Sequence, residues 1–107
     1  MANRFPLIVD SSSQQIKELP DGDSLLLGDS EKLILGDGSD LQLFHDGSDS
    51  YLKDAGTGRL VIETDGTDVS LKAGSENMLV ATKDGAVTLY YDNSAKVATL
   101  STGASIT

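Results

Sequence analysis

Short apolar segments separated by glycine restrict the folds open to this chain more than any other feature of its sequence. Eleven glycines are spread along the chain, and in the segments between them apolar residues stand two positions apart. The clearest pairs are Leu25/Leu27, Leu33/Leu35, Leu41/Leu43, Leu60/Ile62, Val69/Leu71 and Val87/Leu89. Successive side chains of a strand point to opposite faces, whereas an amphipathic helix repeats every three or four residues. The pattern therefore predicts an all-β chain of about nine or ten short strands.

The dipeptide Asp-Gly marks the boundaries between these segments. It occurs five times, with its aspartate at Asp21, Asp37, Asp46, Asp65 and Asp84. Glycine accepts the positive φ angles that tight turns require, and Asp-Gly is a strong hairpin signal. We expect each of the five dipeptides to lie in a turn.

A Leu-x-Leu unit recurs at an interval of eight residues, over residues 25–29, 33–37 and 41–43. Eight residues have room for one strand of about 17 Å and a tight turn. A fixed short period is typical of stacked units that bury small apolar faces against their neighbours. Two arrangements satisfy this pattern: the chain winds on itself, as in a β-helix, or three chains wind together, as in a β-prism.

The composition indicates that one chain cannot fill a core by itself. Hydrophobic residues make up 38% of the 107 residues, aromatic residues 5%, and there is no Trp. A domain of this size buries roughly 65% of its unfolded surface, with large apolar side chains supplying most of it. We therefore expect an elongated homotrimer with a shared core, which also protects free strand edges. The residues predicted to form this trimer core are Leu25, Leu27, Leu33, Leu35, Leu41, Leu43, Val87 and Leu89.

The charge of the chain excludes several classes of partner. Seventeen acidic and eight basic residues give a formal net charge of −9. Nucleic-acid binding and attraction to anionic membranes both depend on clusters of Lys and Arg, and no apolar run approaches the ~20 residues that span a bilayer. We expect no nucleic-acid partner and no membrane insertion. The absence of cysteine leaves the redox compartment undefined.

The first 23 residues differ in character from the rest. An apolar stretch is followed by a polar run over residues 11–15 that is typical of a linker. An apolar peptide on a polar tether predicts an extended attachment peptide; the alternative is that the stretch is the first strand of the domain. The predicted attachment residues are Phe5, Pro6, Leu7, Ile8 and Val9.

This pattern divides the chain into three parts: an attachment peptide and linker at 1–23, a repeat-rich β shaft at 24–62, and a further β module at 63–107. No helix longer than one or two turns is expected, and the candidate lies around residues 13–19.

No combination of residues predicts catalysis. His45 and Asp46 stand beside each other with Ser48 and Ser50 nearby, but neighbours on a strand point to opposite faces, and no Gly-x-Ser-x-Gly elbow occurs. Carboxylates for glycoside cleavage are available, but the aromatic residues that line such a cleft are scarce. We expect no enzyme activity and no cofactor.

Asp-Gly-x-Asp occurs three times, at Asp37/Asp40, Asp46/Asp49 and Asp65/Asp68. Carboxylates in glycine-rich turns suit calcium, but a calcium loop needs about five or more oxygen ligands in ordered spacing. We favour the interpretation that each aspartate caps its own turn.

Three stretches carry a resemblance to a known group of proteins. LQLFHDGSDSYLKDAGTGRLVI (residues 41–62), DGAVTLYYDNSAKVATLSTG (84–103) and the opening MANRFPLIVDSSSQQIKELPDGD (1–23) resemble parts of tail-fibre-like structural proteins of tailed phages of marine cyanobacteria. The resemblance implies a homotrimeric virion protein whose N-terminal segment attaches to other virion proteins, with a host-surface glycan as the distal partner of the fibre. It implies no catalytic residue.

Two alternatives remain open on the sequence. The same trimer is equally suited to the capsid, as a decoration or head-fibre protein. A carbohydrate-binding module is the alternative from a different class, and it would require an aromatic cluster beside acidic residues.

Overall fold

The structure is a computed structural model that describes residues 2–107, and in this part of the chain all regular structure is β. Its ten strands are β1 (Leu7–Asp10), β2 (Gln15–Glu18), β3 (Lys32–Leu35), β4 (Leu41–His45), β5 (Ser50–Asp54), β6 (Asp68–Ala73), β7 (Glu76–Thr82), β8 (Val87–Tyr91), β9 (Ser94–Leu100) and β10 (Gly103–Ile106). The predicted all-β class, with nine or ten short strands, is confirmed. Over the same residues no helix is long and apolar enough to cross a membrane.

The strands form three antiparallel sheets in which each strand pairs with its neighbours in sequence. β1 and β2 form a hairpin, β3–β5 form a three-stranded sheet, and β6–β10 form a five-stranded sheet. The chain divides into two compact units between Leu60 and Val61. Within the described residues, contacts between strands are confined to consecutive strands, so no sheet face is covered by another strand.

Short turns with suitable residues explain why each sheet is a meander, in which every strand pairs with its neighbour in sequence. All five Asp-Gly dipeptides lie in turns or bends, as predicted. Between β4 and β5 the Asp46 carboxylate accepts hydrogen bonds from the backbone N–H groups of Ser48 and Asp49, at 2.9 and 2.8 Å. Asp46 therefore caps its own turn, as the sequence indicated.

A two-residue turn joins β8 and β9. Asp92 and Asn93 both have positive φ, at 48° and 58°, as in a type I′ turn. This turn type matches the right-handed twist of paired strands and suits a two-residue connection. The Asn93 side chain also accepts a hydrogen bond from the Asn77 backbone at 3.0 Å, which links the turn to β7.

Some segments predicted to be strands are not strands. The Leu25/Leu27 and Leu60/Ile62 segments have the period-two pattern but no regular structure, because neither has a ladder partner. Alternation of apolar and polar residues makes a strand possible, but hydrogen bonding to a neighbouring strand is needed to stabilise it. The repeat of eight residues therefore yields strands at its second and third units, β3 and β4, but not at its first.

The N-terminal segment also differs from expectation. Gln15–Glu18 is β2 rather than a helical turn, and residues 11–14 form the turn of a hairpin rather than a linker. The alternative assignment of the apolar stretch, as a first strand, holds for Leu7–Asp10. The Asp10 carboxylate stabilises the turn by accepting hydrogen bonds from the backbone N–H groups of Ser12 and Ser13.

Among residues 2–107 no hydrophobic side chain is buried; the single buried residue is Gln42. The chain exposes 8932 Å² of surface. A compact domain of this mass exposes about 5,700 Å², and two separate compact domains of half the mass together expose about 6,900 Å². The chain therefore exposes at least about 2,000 Å² more surface than two separate compact domains of the same total mass.

Candidate interaction surfaces

One side of the three-stranded sheet is an uncovered surface of leucines, here called the leucine face. Leu33 pairs with Leu43 and Leu43 with Leu52, while Leu35 pairs with Leu41. Paired residues, and residues two apart on one strand, share a face of the sheet. The leucine face is formed by Leu33, Leu35, Leu41, Leu43 and Leu52, of which four are between 42% and 50% exposed. On the same side, Asp54 lies at one end of this face, and His45 and Ser50 lie at the other.

The opposite side of this sheet is more polar and carries most of the side-chain contacts, although Ile34 on this side is 46% exposed. The rings of Phe44 and Tyr51 stack with their centroids 4.7 Å apart, and the Lys32 ammonium lies 4.3 Å from the centroid of the Phe44 ring. Lys32 also donates to the Gln42 side chain at 3.0 Å, and Gln42 donates to the Ser39 carbonyl at 2.9 Å. The contrast between the two sides identifies the leucine face as the one that lacks a partner.

A shallow apolar cleft adjoins the leucine face. Its volume is about 330 Å³, and it lies between the irregular segment that carries Leu25 and Leu27 and the strand residues Leu33 and Leu43. Leu25 and Leu27 therefore border the leucine face from a loop, although they are not in a strand. Six of the eight residues predicted for a trimer core are thus brought together in one unit.

The five-stranded sheet carries a second uncovered apolar surface, here called the ladder face. One row crosses all five strands through paired residues: Leu71, Leu79, Leu89, Val97 and Ile106. The adjacent row on the same side is Val69, Ala81, Val87, Thr99 and Ala104. Neither row contains a charged side chain. Val87 and Leu89, the remaining residues predicted for the trimer core, lie in these rows.

The ladder face is the more exposed side of its central strand. Along β8, Val87, Leu89 and Tyr91 are exposed, whereas Thr88 and Tyr90 on the opposite side are partly covered. Ile106 at the sheet edge is 79% exposed. A soluble sheet normally turns its apolar side toward a core, so this exposure marks a surface that lacks its partner.

The hairpin β1–β2 carries a third apolar surface, here called the hairpin face. Val9 pairs with Ile16, and Leu7 lies on the same side of β1 as Val9; Glu18, which pairs with Leu7, lies at the end of this side. All three side chains are at least 70% exposed. Ile8 points to the other side, where it pairs with Lys17. Of the five predicted attachment residues, Phe5 and Pro6 precede the strand, and Leu7 and Val9 form the hairpin face together with Ile16.

An ion pair on the other side of the hairpin joins its two strands. Lys17 Nζ lies 2.8 Å from the Asp10 carboxylate. The hydrogen bond from Lys17, followed by those from Ser12 and Ser13, holds the pKa of Asp10 well below its usual value. The same hydrogen bond raises the pKa of Lys17. The hairpin turn is therefore stabilised by a charged carboxylate.

We expect the hairpin to lose order in acid. Because the pKa of Asp10 is depressed in the folded hairpin, its contribution is complete above its usual value of 3.8 and is lost as the pH falls below that value. Because the pKa of Lys17 is raised, its contribution to the ion pair is complete below its usual value of 10.5 and is lost only as the pH rises above that value. Amide hydrogen exchange between pH 5 and pH 2 should show falling protection in β1 and β2, and the Asp10→Asn variant should lack this dependence. An equal acid dependence in the variant would contradict the assignment.

The candidate catalytic groups do not converge. His45 Nδ1 lies 2.9 Å from Ser50 Oγ, across a paired position of β4 and β5. The Asp46 carboxylate instead accepts a hydrogen bond from the Tyr51 hydroxyl at 3.1 Å, in addition to its two bonds within the turn. These bonds lower the pKa of Asp46, those from the backbone of Asp49 and Ser48 being the strongest. No His–Asp–Ser relay is formed.

Metal ligands do not cluster in residues 2–107: no three His, Cys, Asp or Glu side chains are placed to hold one ion. Asp40, from one of the three Asp-Gly-x-Asp motifs, instead accepts a hydrogen bond from the Gly38 backbone at 3.3 Å.

Several residues of the apolar surfaces were not identified from the sequence. Leu52 joins the leucine face through its pairing with Leu43, and Ile16 joins the hairpin face through its pairing with Val9. Val97 and Ile106 complete the ladder face from strands whose alternation is weak. The signal that places them is strand register, which a single sequence does not carry.

No family model matches the chain, and neither the curated proteins nor the solved structures include a significant match.

Proposed function

We propose that this chain is a structural protein of a phage virion, the N-terminal, virion-anchoring part of a homotrimeric tail fibre or appendage. The observation that carries the proposal is the set of uncovered apolar faces: a chain with no buried hydrophobic side chain in residues 2–107 is built to be completed by other chains. The resemblance of residues 1–23, 41–62 and 84–103 to cyanophage fibre proteins supplies the biological setting.

The energetics support assembly with other copies. Apolar surface contributes about 25 cal/mol per Å² when it leaves water. Apolar atoms supply roughly 55–60% of exposed protein surface, so covering the roughly 2,000 Å² of excess surface removes about 1,100 Å² of apolar surface from water, worth on the order of 25–30 kcal/mol before entropic costs. Even a small surplus over those costs stabilises an oligomer. Obligate interfaces of total area 2,000–5,000 Å² are typical of permanent assemblies.

A β-prism is the trimeric form that fits the strand connections best. The seven strand pairings of the described residues are all antiparallel and join consecutive strands. A β-helix would instead require each turn of the chain to stack on the previous one. In a prism each chain contributes a sheet whose apolar face points to a common axis, and the leucine face has the required composition.

The hairpin is the proposed attachment element. A two-stranded hairpin with one apolar face is marginally stable in water by itself. β1 and β2 contact no other strand, and Leu7, Val9 and Ile16 remain exposed. Docking of the hairpin face on another virion protein would cover these side chains and stabilise the hairpin.

A capsid location is the alternative place for the same trimer, since the three apolar surfaces serve a head fibre as well as a tail fibre. The aromatic cluster beside an acidic residue that a carbohydrate-binding module requires is present on a small scale, because Phe44 stacks on Tyr51 and the Tyr51 hydroxyl donates to the Asp46 carboxylate. The Phe44 ring itself is covered, so this function is less well supported. Sugars stack on open aromatic rings, and here Tyr51 lies on one side of the Phe44 ring and Lys32 on the other.

The mass of the purified protein tests the proposal. Light scattering should give about three times the chain mass of 11.2 kDa, at a value that does not fall on dilution into the micromolar range. A folded monomer would overturn it. Electron microscopy of particles with the subunit labelled distinguishes a tail from a capsid location.

A further inference from the structure

We propose that the ladder face is a self-association surface in its own right, covered in the assembled protein by the ladder faces of other copies of this chain. This inference rests on the proposed homo-oligomeric function and names the surface that the Val61–Thr107 unit uses. It adds Leu71, Leu79, Val97 and Ile106 to the contact residues.

The first argument is area. No strand of the described chain packs on the ladder face, and Leu71, Leu89 and Ile106 are 53%, 43% and 79% exposed. The chain carries at least about 2,000 Å² of surface beyond that of two compact domains, and an obligate subunit interface buries on the order of 1,000–2,500 Å² per partner. The leucine face lies in the other unit, so covering it does not cover the ladder face.

The second argument is charge. Each chain carries a net charge of −9, so two copies repel each other wherever their acidic surfaces meet. The two rows of the ladder face contain no charged side chain. Burying an unpaired carboxylate at an interface is costly, and copies that meet through these two rows bury none. The ladder face of a second copy is therefore an occupant with matching chemistry.

The third argument is the lack of polar groups that would select a different protein. The two rows contain a single polar side chain, Thr99, and its Oγ1 accepts a hydrogen bond from the Val87 backbone at 2.9 Å. Interfaces between permanently associated copies are more apolar than those between transient partners. One row carries mostly the larger side chains of Leu and Ile, and the other carries the smaller ones of Val, Thr and Ala. This difference in size helps two such faces to interdigitate.

Single cysteines test the inference cleanly, because the chain has no cysteine of its own and each introduced thiol is the only one present. Ala104→Cys places a thiol on the ladder face, and Ser70→Cys places one on the opposite side of the same sheet; both positions are exposed in the single chain. In the purified protein we expect maleimide to label the thiol at 104 at least ~10-fold more slowly than the thiol at 70. In urea the two rates should become equal. A short bismaleimide should join chains through position 104 and not through position 70.

Three results would overturn the inference. If both thiols react equally fast in a protein of trimer mass, the ladder assignment fails and the proposed homotrimer stands. If both react equally fast in a monomer, both proposals fail. Protection at position 104 that appears only when another virion protein is added would identify a foreign occupant and would also reject self-association through this face.

Discussion

Replacing Leu33 by lysine should weaken the proposed trimer, whereas replacing Ile34 by lysine should leave it assembled. The two residues are adjacent on β3, and they are 47% and 46% exposed in the single chain. Leu33 lies on the leucine face, and Ile34 lies on the polar side, where it pairs with Gln42. A lysine at position 33 would place an unpaired ammonium in an apolar interface, at a cost of about 3–5 kcal/mol per chain. On dilution into the micromolar range, light scattering should show a mass that falls toward 11.2 kDa for Leu33→Lys, whereas Ile34→Lys should keep three times that mass.

The design separates an interface effect from an effect on the strand. Both variants introduce the same residue into the same edge strand, so loss of β propensity affects them alike. Circular dichroism of each variant reports whether the strands persist. Equal masses for the two variants would show that the leucine face is not the trimer contact.

Deleting residues 1–19 should give trimers that no longer enter virions. β1 and β2 pair with each other and contact no other strand, so their removal leaves the eight remaining strands intact. Loss of the hairpin face removes the apolar surface proposed to dock on the particle. The measurement is the amount of the protein in purified particles, with the mass of the free trimer as the control. Normal incorporation of the deleted form would reject the attachment role.

A single substitution then distinguishes a hairpin from a linear peptide as the anchor. Ile16 lies outside the apolar stretch but pairs with Val9 on the hairpin face, with 71% of its surface exposed. We expect Ile16→Asp to reduce incorporation as strongly as Val9→Asp, because both place a carboxylate on the docking side. Ile8→Asp is the matched control, since position 8 faces Lys17 on the other side. Normal incorporation of Ile16→Asp would show that the anchor is the extended apolar peptide rather than the hairpin face.

Much of the local structure follows from the amino-acid sequence. Alternation predicts the strands around Leu33, Leu41, Val69 and Val87, and the Asp-Gly dipeptides predict turns, because side-chain direction and positive φ are properties of a few neighbouring residues. The expectation that one chain lacks a core also follows from composition, and it agrees with the absence of a buried hydrophobic side chain in residues 2–107. The homotrimer and its place in a virion stay predictions.

Tertiary structure alone decided which residues share a surface. Leu25/Leu27 and Leu33/Leu35 are the same pattern in sequence, yet only the second forms a strand, because Leu33 and Leu35 have partners in β4. Likewise the polar run after Asp10 is compatible with a linker or a turn, and it is a turn because β2 pairs back on β1.

The ladder face is the clearest case of the same distinction. Its main row joins five residues from five strands, and two of them, Val97 and Ile106, lie in segments of weak alternation. Alternation is set by neighbours along the chain, but register is set by pairing between strands, and a shift of one residue would send a whole strand's apolar set to the other side. The sequence therefore determined that the chain is made of short strands with too little core, and the tertiary structure decided where the uncovered surfaces lie.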